Sequence, residues 1–218
     1  MKTHPTVLYH TPRASKTRLE ILRTSMDIAS AEGLEGVSIG RLAIELKMSK
    51  TGIFAHFGSK EQLQLATVEA AKQVFTVQVV QPSLTHSRGI PRLRAMLENW
   101  IGYVERIVFR GGCFFAAASA EFDSRPGPVR DEIASLTKAW LIALQDEIAF
   151  ARSAKQMKAD IDPVQVAFEL HAYVQEANWA FKLFNDNSAF PHARLAIVRC
   201  IDSWSRNRIP RQSLQRRR

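Results

Sequence analysis

Apolar residues recur at helical spacing through most of the chain, and no segment shows the alternation of a half-buried strand. The first helix is predicted over residues 16–32, where Gly33 ends it. A stretch rich in Ser, Thr, Pro and Gly over 82–89 predicts a loop, and Pro91 then opens a largely apolar helix that is expected to run to the glycine pair at 111–112. Together with the helices around and after these, the chain is predicted to be all-α, with about nine helices.

Three serines predict the starts of three closely spaced helices. Ser38 and Ser49 stand at N-cap positions, and Ser59 with a glutamine three residues later forms an S-x-x-Q capping box. The helix after Ser49 has barely two turns and buries only Ile53 and Phe57. A helix this short is not stable alone, and its outward residues are small, aromatic or hydrogen-bonding where a solvated face usually carries Glu and Lys. We therefore predict that this face contacts another molecule.

Two helices joined by a turn of three or four residues, the second presenting short polar groups, are typical of a helix-turn-helix. The run Ile-Phe-Ala-His-Phe-Gly-Ser-Lys-Glu over 53–61, with the Val-Ser pair at 37–38, resembles the N-terminal domain of TetR-family transcriptional regulators. This resemblance covers residues 16–70. It departs at Lys47, where the family commonly has glycine and the chain needs a conformation easier for glycine, and at Phe54, where the family often has a tyrosine hydroxyl.

The resemblance implies a sequence-specific regulator with an N-terminal three-helix helix-turn-helix domain and a C-terminal helical ligand-binding and dimerisation domain. The predicted parts are a flexible arm over 1–15, the DNA-binding domain over 16–62, the ligand-binding and dimerisation domain over 63–205, and a basic tail over 206–218. The distribution of charge supports this division, because the formal net charge of +9 is the sum of +4 for residues 1–60, −1 for residues 61–205 and +6 for the tail. A basic N-terminal domain (the head, residues 16–62) attached to a nearly neutral C-terminal domain (the body, residues 63–205) is typical of a polyanion-binding protein. For the tail alone, a role in solubility is the simpler interpretation.

The helix-turn-helix residues divide into candidates for phosphate contacts and candidates for reading bases. The predicted DNA-binding residues are Ser38, Arg41, Ser49, Lys50, Thr51, Gly52, Phe54, Ala55, His56 and Lys60. A purely structural role stays open for three of them: a helix cap for Ser38, and packing for Phe54 and His56.

The resemblance also implies a cavity in the body that binds a small-molecule effector. The candidate lining is aromatic with few polar groups, which suits a flat or hydrophobic ligand: Trp100, Tyr103, Phe114, Phe115, Trp140, His171, Asn178 and Trp179. Plain core packing is the alternative for each aromatic residue. The polar side chains of Asn99, His171, Gln175 and Asn178 need partners if they are buried, and a ligand is one such partner.

The last two helices carry more apolar surface than one small bundle covers, and the helix over 164–185 has two apolar stripes. We therefore expect a homodimer whose four-helix interface contains Val166, Leu170, Tyr173, Ala177, Phe184, Leu195, Val198 and Ile201. Two-fold symmetry places two recognition helices on a palindromic double-stranded operator.

The resemblance therefore implies a cytoplasmic transcriptional regulator, which is expected to repress until a small hydrophobic or aromatic ligand releases it. A ligand-independent architectural DNA-binding protein and an activator of the same fold are the alternatives. An enzyme is not expected, because G-x-S-x-G, HExxH and phosphate-binding glycine motifs are absent from the sequence, and no cofactor or metal is expected. The apolar surroundings of Cys113 argue against a reactive pair with His171. No apolar run approaches the length of a membrane span.

Overall fold

The computed structural model describes residues 16–206, and nine of its ten α-helices are longer than a single turn. They are α1 (Lys16–Glu32), α2 (Ile39–Leu46), α3 (Lys50–Phe57), α4 (Lys60–Phe75), α5 (Gln81–Ser83), α6 (Ile90–Glu105), α7 (Phe114–Phe122), α8 (Pro128–Ser153), α9 (Pro163–Phe184) and α10 (Ala189–Trp204). Within 16–206, strand pairing is limited to one isolated bridge between Met157 and Ser205, so the all-α prediction is confirmed. The predicted arm over 1–15 and the tail over 207–218 lie outside the described residues.

Local side-chain caps set the boundaries of α2, α3 and α4, as predicted. Ser38, Ser49 and Ser59 each accept a hydrogen bond at Oγ from the backbone N–H three residues later, at 3.0–3.1 Å. Each bond satisfies a backbone donor that a helix start leaves without a partner. Lys47 ends α2 in the left-handed conformation (φ 53°, ψ 40°), which confirms the glycine-like geometry expected there.

The helical run that begins at Lys60 continues into the first two residues of the loop predicted over 82–89. After α4, a π-helical segment occupies Thr76–Val80, and the single turn α5 follows to Ser83. Pro82 lies in the first turn of α5, a position that a helix tolerates for proline. The prediction of a loop from residue 82 is therefore wrong at its start, and only 84–89 connect to α6.

Helix α6 is mostly buried, as its apolar sequence predicts. It ends at Glu105 and does not reach the glycine pair at 111–112, because Ile107 adopts a left-handed conformation (φ 52°) that closes the helix. On its buried side, Asn99 Nδ2 donates to the backbone oxygen of Val79 at 3.1 Å. That bond links α6 to the π-helical segment and gives Asn99 a partner within the protein.

Candidate functional site

The short helix α3 presents an exposed face opposite its two buried residues. Ile53 and Phe57 enter the core, which confirms their predicted orientation. Lys50, Thr51, Phe54, Ala55 and the capping residue Ser49 are exposed, whereas Gly52 and His56 are partly buried. The outward residues form one continuous surface that combines a cation, a hydroxyl, a phenyl ring and a methyl group, all suited to contact with phosphates and base edges.

Arg18 of α1 fixes the C-terminal end of α3. Its guanidinium carbon lies 4.5 Å from the centre of the Phe57 ring, and its Nη1 donates to the backbone oxygen of His56 at 3.4 Å. A cation at the C-terminus of a helix is favourable because carbonyl groups without partners collect there. Arg18 therefore holds the recognition helix in place from inside the protein.

Two of the predicted phosphate-binding cations are already paired with carboxylates. Arg41 lies 3.0 Å from Glu45 and 3.3 Å from Glu32, and Lys60 lies 2.7 Å from Glu35. The hydrogen bond from Lys60 holds the pKa of Glu35 below its ordinary value, so this carboxylate stays charged. A phosphate would have to compete with these carboxylates, which makes Lys60 and Arg41 weaker candidates than their positions in the sequence suggest.

Lys50 is exposed and forms no ion pair with any carboxylate among residues 16–206. Its Cε lies 3.7 Å from the position that a Cβ on Gly40 would occupy, so the end of the side chain lies beside the first turn of α2.

Ile44, one turn after Gly40 on the same helix, is 78% exposed. Sequence reasoning missed Ile44, although an isoleucine outside the apolar stripe of α2 was a visible signal.

The body contains a cavity of about 250 Å³ between α4, the π-helical segment and α6–α9. It is lined mainly by apolar and aromatic groups: Lys72, Phe75, Thr76, Val80, Trp100, Cys113, Phe115, Ser119, Leu136, Thr137, Ala139, Trp140, Ala143, His171 and Gln175. Four of the eight predicted lining residues are among them, namely Trp100, Phe115, Trp140 and His171.

The other four predicted pocket residues lie elsewhere. Tyr103 and Phe114 are fully buried behind the cavity wall and fill the core. The side-chain oxygen of Asn178 accepts a hydrogen bond from the backbone N–H of Cys113 at 2.9 Å and holds the start of α7. Trp179 is 49% exposed and is not part of the cavity lining. These four assignments to the cavity wall are therefore wrong, because each side chain has a structural or surface position.

Three aromatic rings meet nearly edge to face at the cavity. The ring centre of Phe75 lies 5.0 Å from that of Trp140 and 6.3 Å from that of Trp100, and the two tryptophans are 5.6 Å apart, with interplanar angles of 77–87°. Such arrangements are the preferred geometry of aromatic pairs. Phe75, the last residue of α4, was not among the predicted lining residues.

The cavity wall is close to neutral. Burial lowers the pKa of His171 and raises the pKa of the Cys113 thiol, so that near pH 7 both groups are uncharged. The one charged group in the wall is Lys72, whose Nζ also lies 2.7 Å from Glu69. The wall contains no carboxylate among the described residues.

Helix α7 connects the cavity to the N-terminal unit. Phe115 and Ser119 of α7 line the cavity, and the carboxylate of Glu121, further along α7, accepts hydrogen bonds from the backbone N–H groups of Leu34 and Glu35. The Glu35 side chain in turn accepts hydrogen bonds from Lys60 and Gln64 of α4. A polar network thus joins α7, the turn after α1 and the start of α4.

Helix α9 has the two predicted apolar stripes. The stripe that was predicted to form the dimer interface is mostly buried inside the monomer, and the other stripe is exposed. Four predicted interface residues are buried in the chain's own core: Val166, Leu170, Ala177 and Ile201. They cannot form a surface for a second copy, because this stripe of α9 packs inside the monomer and Ile201 lies on the buried side of α10.

The exposed stripe of α9 is the other one. Phe168 is 67% exposed and Leu183 61% exposed, and Val164 and Trp179 are exposed as well. The predicted interface residue Phe184 belongs to the first stripe but is exposed, because it is the last residue of α9. On α10, Leu195 is exposed, and the predicted residues Tyr173 of α9 and Val198 of α10 are partly buried.

Two family models match most of the described chain. Residues 21–67 match the model described as "Bacterial regulatory proteins, tetR family", and residues 89–197 match "Tetracyclin repressor-like, C-terminal domain". The chain belongs to the TetR family. It is a TetR-family transcriptional regulator, and α2 and α3 are its helix-turn-helix.

Solved structures of TetR-family proteins share the fold. A regulator from Chloroflexus aurantiacus J-10-FL is 20% identical with a TM-score of 0.80, over 87% of this chain and 96% of that one. A regulator from Streptomyces coelicolor is 23% identical with a TM-score of 0.73, over 86% and 95%. AibR, described in complex with isovaleryl coenzyme A and operator DNA, is 24% identical with a TM-score of 0.67, over 83% and 95%.

No curated protein matches this TetR-family chain significantly. Among residues 16–206, no helix combines the length and apolarity needed to cross a membrane.

Proposed function

We propose that this TetR-family regulator is a homodimeric repressor that binds a palindromic operator through α3 and leaves it when a small hydrophobic or aromatic molecule fills the cavity. The observation that carries the proposal is the course of α4. The helix begins at Lys60, directly after the recognition helix, and its far end contributes Lys72 and Phe75 to the cavity wall. One rigid element therefore touches both the DNA-binding unit and the ligand site.

The π-helical segment adds to this argument. It continues α4 without a break, and Thr76 and Val80 within it line the cavity. Single π-helical turns inside α-helices occur frequently at functional sites, because their i→i+5 bonds are less stable than the α-helical pattern. A ligand that contacts this segment can favour one orientation of α4. In a dimer, that orientation sets the distance between the two DNA-binding domains on the operator.

The exposed stripe of α9 supports the dimer. Phe168, Trp179 and Leu183 lie on one side of the helix, together with Val164 and the small residue Ala172. An exposed apolar face made of these five residues is typical of an interaction surface. Pairing it with the same face of a second copy gives the C₂ arrangement that a palindromic operator requires.

Selection of bound duplexes from a random DNA pool tests the function. We expect enrichment of a palindrome whose half-sites lie a whole number of helical turns apart, roughly 34–36 Å per turn. Loss of this enrichment when a small molecule is added would establish effector release. Binding without enrichment that only fades with rising salt would favour an architectural DNA-binding protein instead.

Lys50→Ala is expected to weaken binding to all DNA sequences similarly and to lower the salt slope by about one unit, because Lys50 carries the unpaired cation at the start of α3. Lys60→Ala should reduce the slope less, because Glu35 already neutralises Lys60. Thr51→Ala should instead change which bases are enriched. Titration of the enriched site at several salt concentrations measures the two salt slopes, and a repeated selection with the Thr51→Ala protein measures its base preference. A larger slope change for Lys60→Ala than for Lys50→Ala would contradict this assignment of the phosphate contacts.

Glu121→Ala is expected to reduce the factor by which an effector weakens operator binding, because it removes the carboxylate that ties α7 to the N-terminal unit. A loss of roughly 2- to 30-fold in that factor corresponds to the usual effect of residues that couple two sites. The measurement is operator affinity with and without an effector identified by screening. Asp123→Ala, at the exposed end of the same helix, is the matched control and should leave the factor unchanged.

A further inference from the structure

A group of exposed cations surrounds the point where the described chain ends. We call this group the basic pole, and it consists of Arg152, Lys155, Lys158 and Arg206. The backbone N–H of Arg206 donates to the backbone oxygen of Gln156 at 3.0 Å. The end of the described chain therefore lies beside the turn that carries both lysines.

Most of the charge at the basic pole is not neutralised by the protein. Lys155, Lys158 and Arg206 form no ion pair with a carboxylate among residues 16–206. The segment 152–162 contains only two acids against its three cations. These side chains are therefore available to an anionic partner.

The sequence that follows adds charge of the same sign. Residues 207–218 contain five arginines, no lysine and no acid, and they begin directly after Arg206 of the basic pole. Arginine presents its N–H groups in a planar fork that matches the oxygens of a phosphate, which makes it the preferred cation for nucleic-acid recognition. The basic pole and this segment together hold nine cations.

The basic pole lies at the end of the body opposite the DNA-binding unit. Gln156 accepts a hydrogen bond from the N–H of Ile90 at the start of α6, at 2.9 Å. The other end of α6 leads to Gly111, which donates to Ser30 of α1 at 3.0 Å. Sixteen residues of α6 separate these two ends by about 24 Å. The helical run Lys60–Ser83 leads from the recognition helix toward the same end of α6 and is roughly 35 Å long.

This separation decides which DNA the cations can contact. A distance of roughly 35 Å exceeds the reach of any side chain, so the basic pole itself does not contact DNA that is bound by α3. The twelve residues 207–218 span at most about 40 Å when fully extended, which leaves almost no length for contacts along that duplex. The charge at this end of the body thus suits a second polyanion.

The residue types favour duplex DNA as that polyanion. Proteins usually bind unpaired RNA bases by stacking them on aromatic rings, and residues 207–218 contain no aromatic residue. Trp204 is partly buried, and the Lys158 ammonium lies 5.5 Å from the centre of its ring. Segments that lie on membranes combine cations with a broad apolar face, whereas Ile209 and Leu214 are the only large apolar residues of 207–218. Cations alone are sufficient for sequence-independent binding to duplex phosphates.

We propose that the basic pole and residues 207–218 form a second, sequence-independent binding site for double-stranded DNA. A regulator that is bound to one duplex through α3 then holds another DNA segment at the opposite end of its body. This site needs neither the cavity nor pairing through α9, so it goes beyond the proposed function.

A sandwich assay with the full chain tests for the second site. The protein is loaded onto an immobilised duplex, either one enriched from the random pool or, if none is enriched, one of random sequence. A labelled duplex of unrelated sequence is then added. We expect its capture at about 50 mM salt and a loss of about 10³-fold or more in affinity by about 200 mM, as for six or more phosphate contacts. No capture at the lower salt concentration, or capture that salt does not weaken, would overturn the proposal.

Substitutions at the basic pole should weaken the capture in proportion to the charge removed. Lys155→Gln together with Lys158→Gln should lower the salt slope of capture by about two units, because each phosphate contact contributes about one. Replacing the five arginines of 207–218 by glutamine as well should reduce capture by at least about tenfold more. Arg130→Gln together with Lys138→Gln is the matched control, because both cations are exposed on α8 and lie about 20 Å or more along that helix from the pole. Full capture by the combined pole variant, or an equal loss in the control, would contradict the site.

The affinity for a single operator duplex shows which DNA the cations contact. The pole variants should bind the operator within about twofold of the unchanged protein, because the pole is distant from α3. Equal losses of operator affinity and of capture would place these cations on the operator itself and reject the second site. Tighter binding of single-stranded RNA or of phosphatidylglycerol vesicles than of duplex DNA at the pole would also reject it. Capture that persists when no small molecule releases the operator would reject effector release and leave the second site standing.

Discussion

Leu183→Asp is expected to convert the proposed dimer to a monomer and to lower the affinity for a palindromic operator by roughly 10²- to 10⁴-fold. This range is the gain that linking two binding units provides over one unit alone. Leu183 is 61% exposed in the described chain and lies on the same stripe of α9 as Phe168 and Trp179. In the proposed dimer the substitution would place two carboxylates in an apolar interface, where neither finds a partner.

The measurements are the molar mass in solution by light scattering and the affinity for whole and half operators. Affinity for a single half-site should not change, because α3 lies in the other domain. Leu84→Asp is the matched control, since Leu84 is a leucine of similar exposure, 55%, outside the α9 stripe. A Leu183→Asp protein that remained a dimer with full operator affinity would show that this face of α9 is not the interface.

Gly111→Ala is expected to reduce the free energy of unfolding by at least about 3 kcal/mol, at the upper end of the cost of overpacking. A Cβ at this position would lie 1.6 Å from the backbone oxygen of Ser30 and 1.9 Å from its carbonyl carbon. Neither atom can move without displacing α1, and the Gly111 N–H also donates to Ser30 Oγ at 3.0 Å. For a chain of this size the loss corresponds to a fall of about 6–12 °C in Tm.

Gly40→Ala is the control for the glycine substitution. The nearest atom to a Cβ at Gly40 is Lys50 Cε at 3.7 Å, an ordinary contact, and the position lies inside α2. Alanine there should raise the free energy of unfolding by up to about 0.5 kcal/mol, the lower end of the gain at a helix-interior position, because Gly40 lies in the first turn. Thermal unfolding of the two variants therefore should shift in opposite directions, and equal Tm values would contradict the close approach of the two backbones.

The arrangement of the DNA-binding unit was predictable because its determinants are local. A serine cap acts on the N–H three residues later, so Ser38, Ser49 and Ser59 mark helix starts without knowledge of the rest of the fold. Two buried residues at i and i+4 then fix which side of α3 faces outward. The ion pair between Lys60 and Glu35 was not predictable, since the two residues meet only after α1 and α4 have packed.

The cavity could be predicted only in part. Aromatic residues in the body suggested a ring-lined site, and Trp100 and Trp140 do meet there, although they lie on different helices. Phe75 belongs to the wall because α4 extends into the body, which depends on helix packing over a long distance. Asn178 and Trp179 are neighbours in the sequence but face different surroundings, because one residue turns the helix by about 100°.

The amino-acid sequence by itself determined the helical class, most helix boundaries and the outward face of α3, because these depend on caps, periodicity and contacts within a few residues. It also predicted two apolar stripes on α9. Only the tertiary structure decided that Val166 and Leu170 belong to the core and that Phe168 and Leu183 remain exposed. Both stripes are equally apolar, so their roles depend on where α8 and α10 pack, and that is a property of the whole chain.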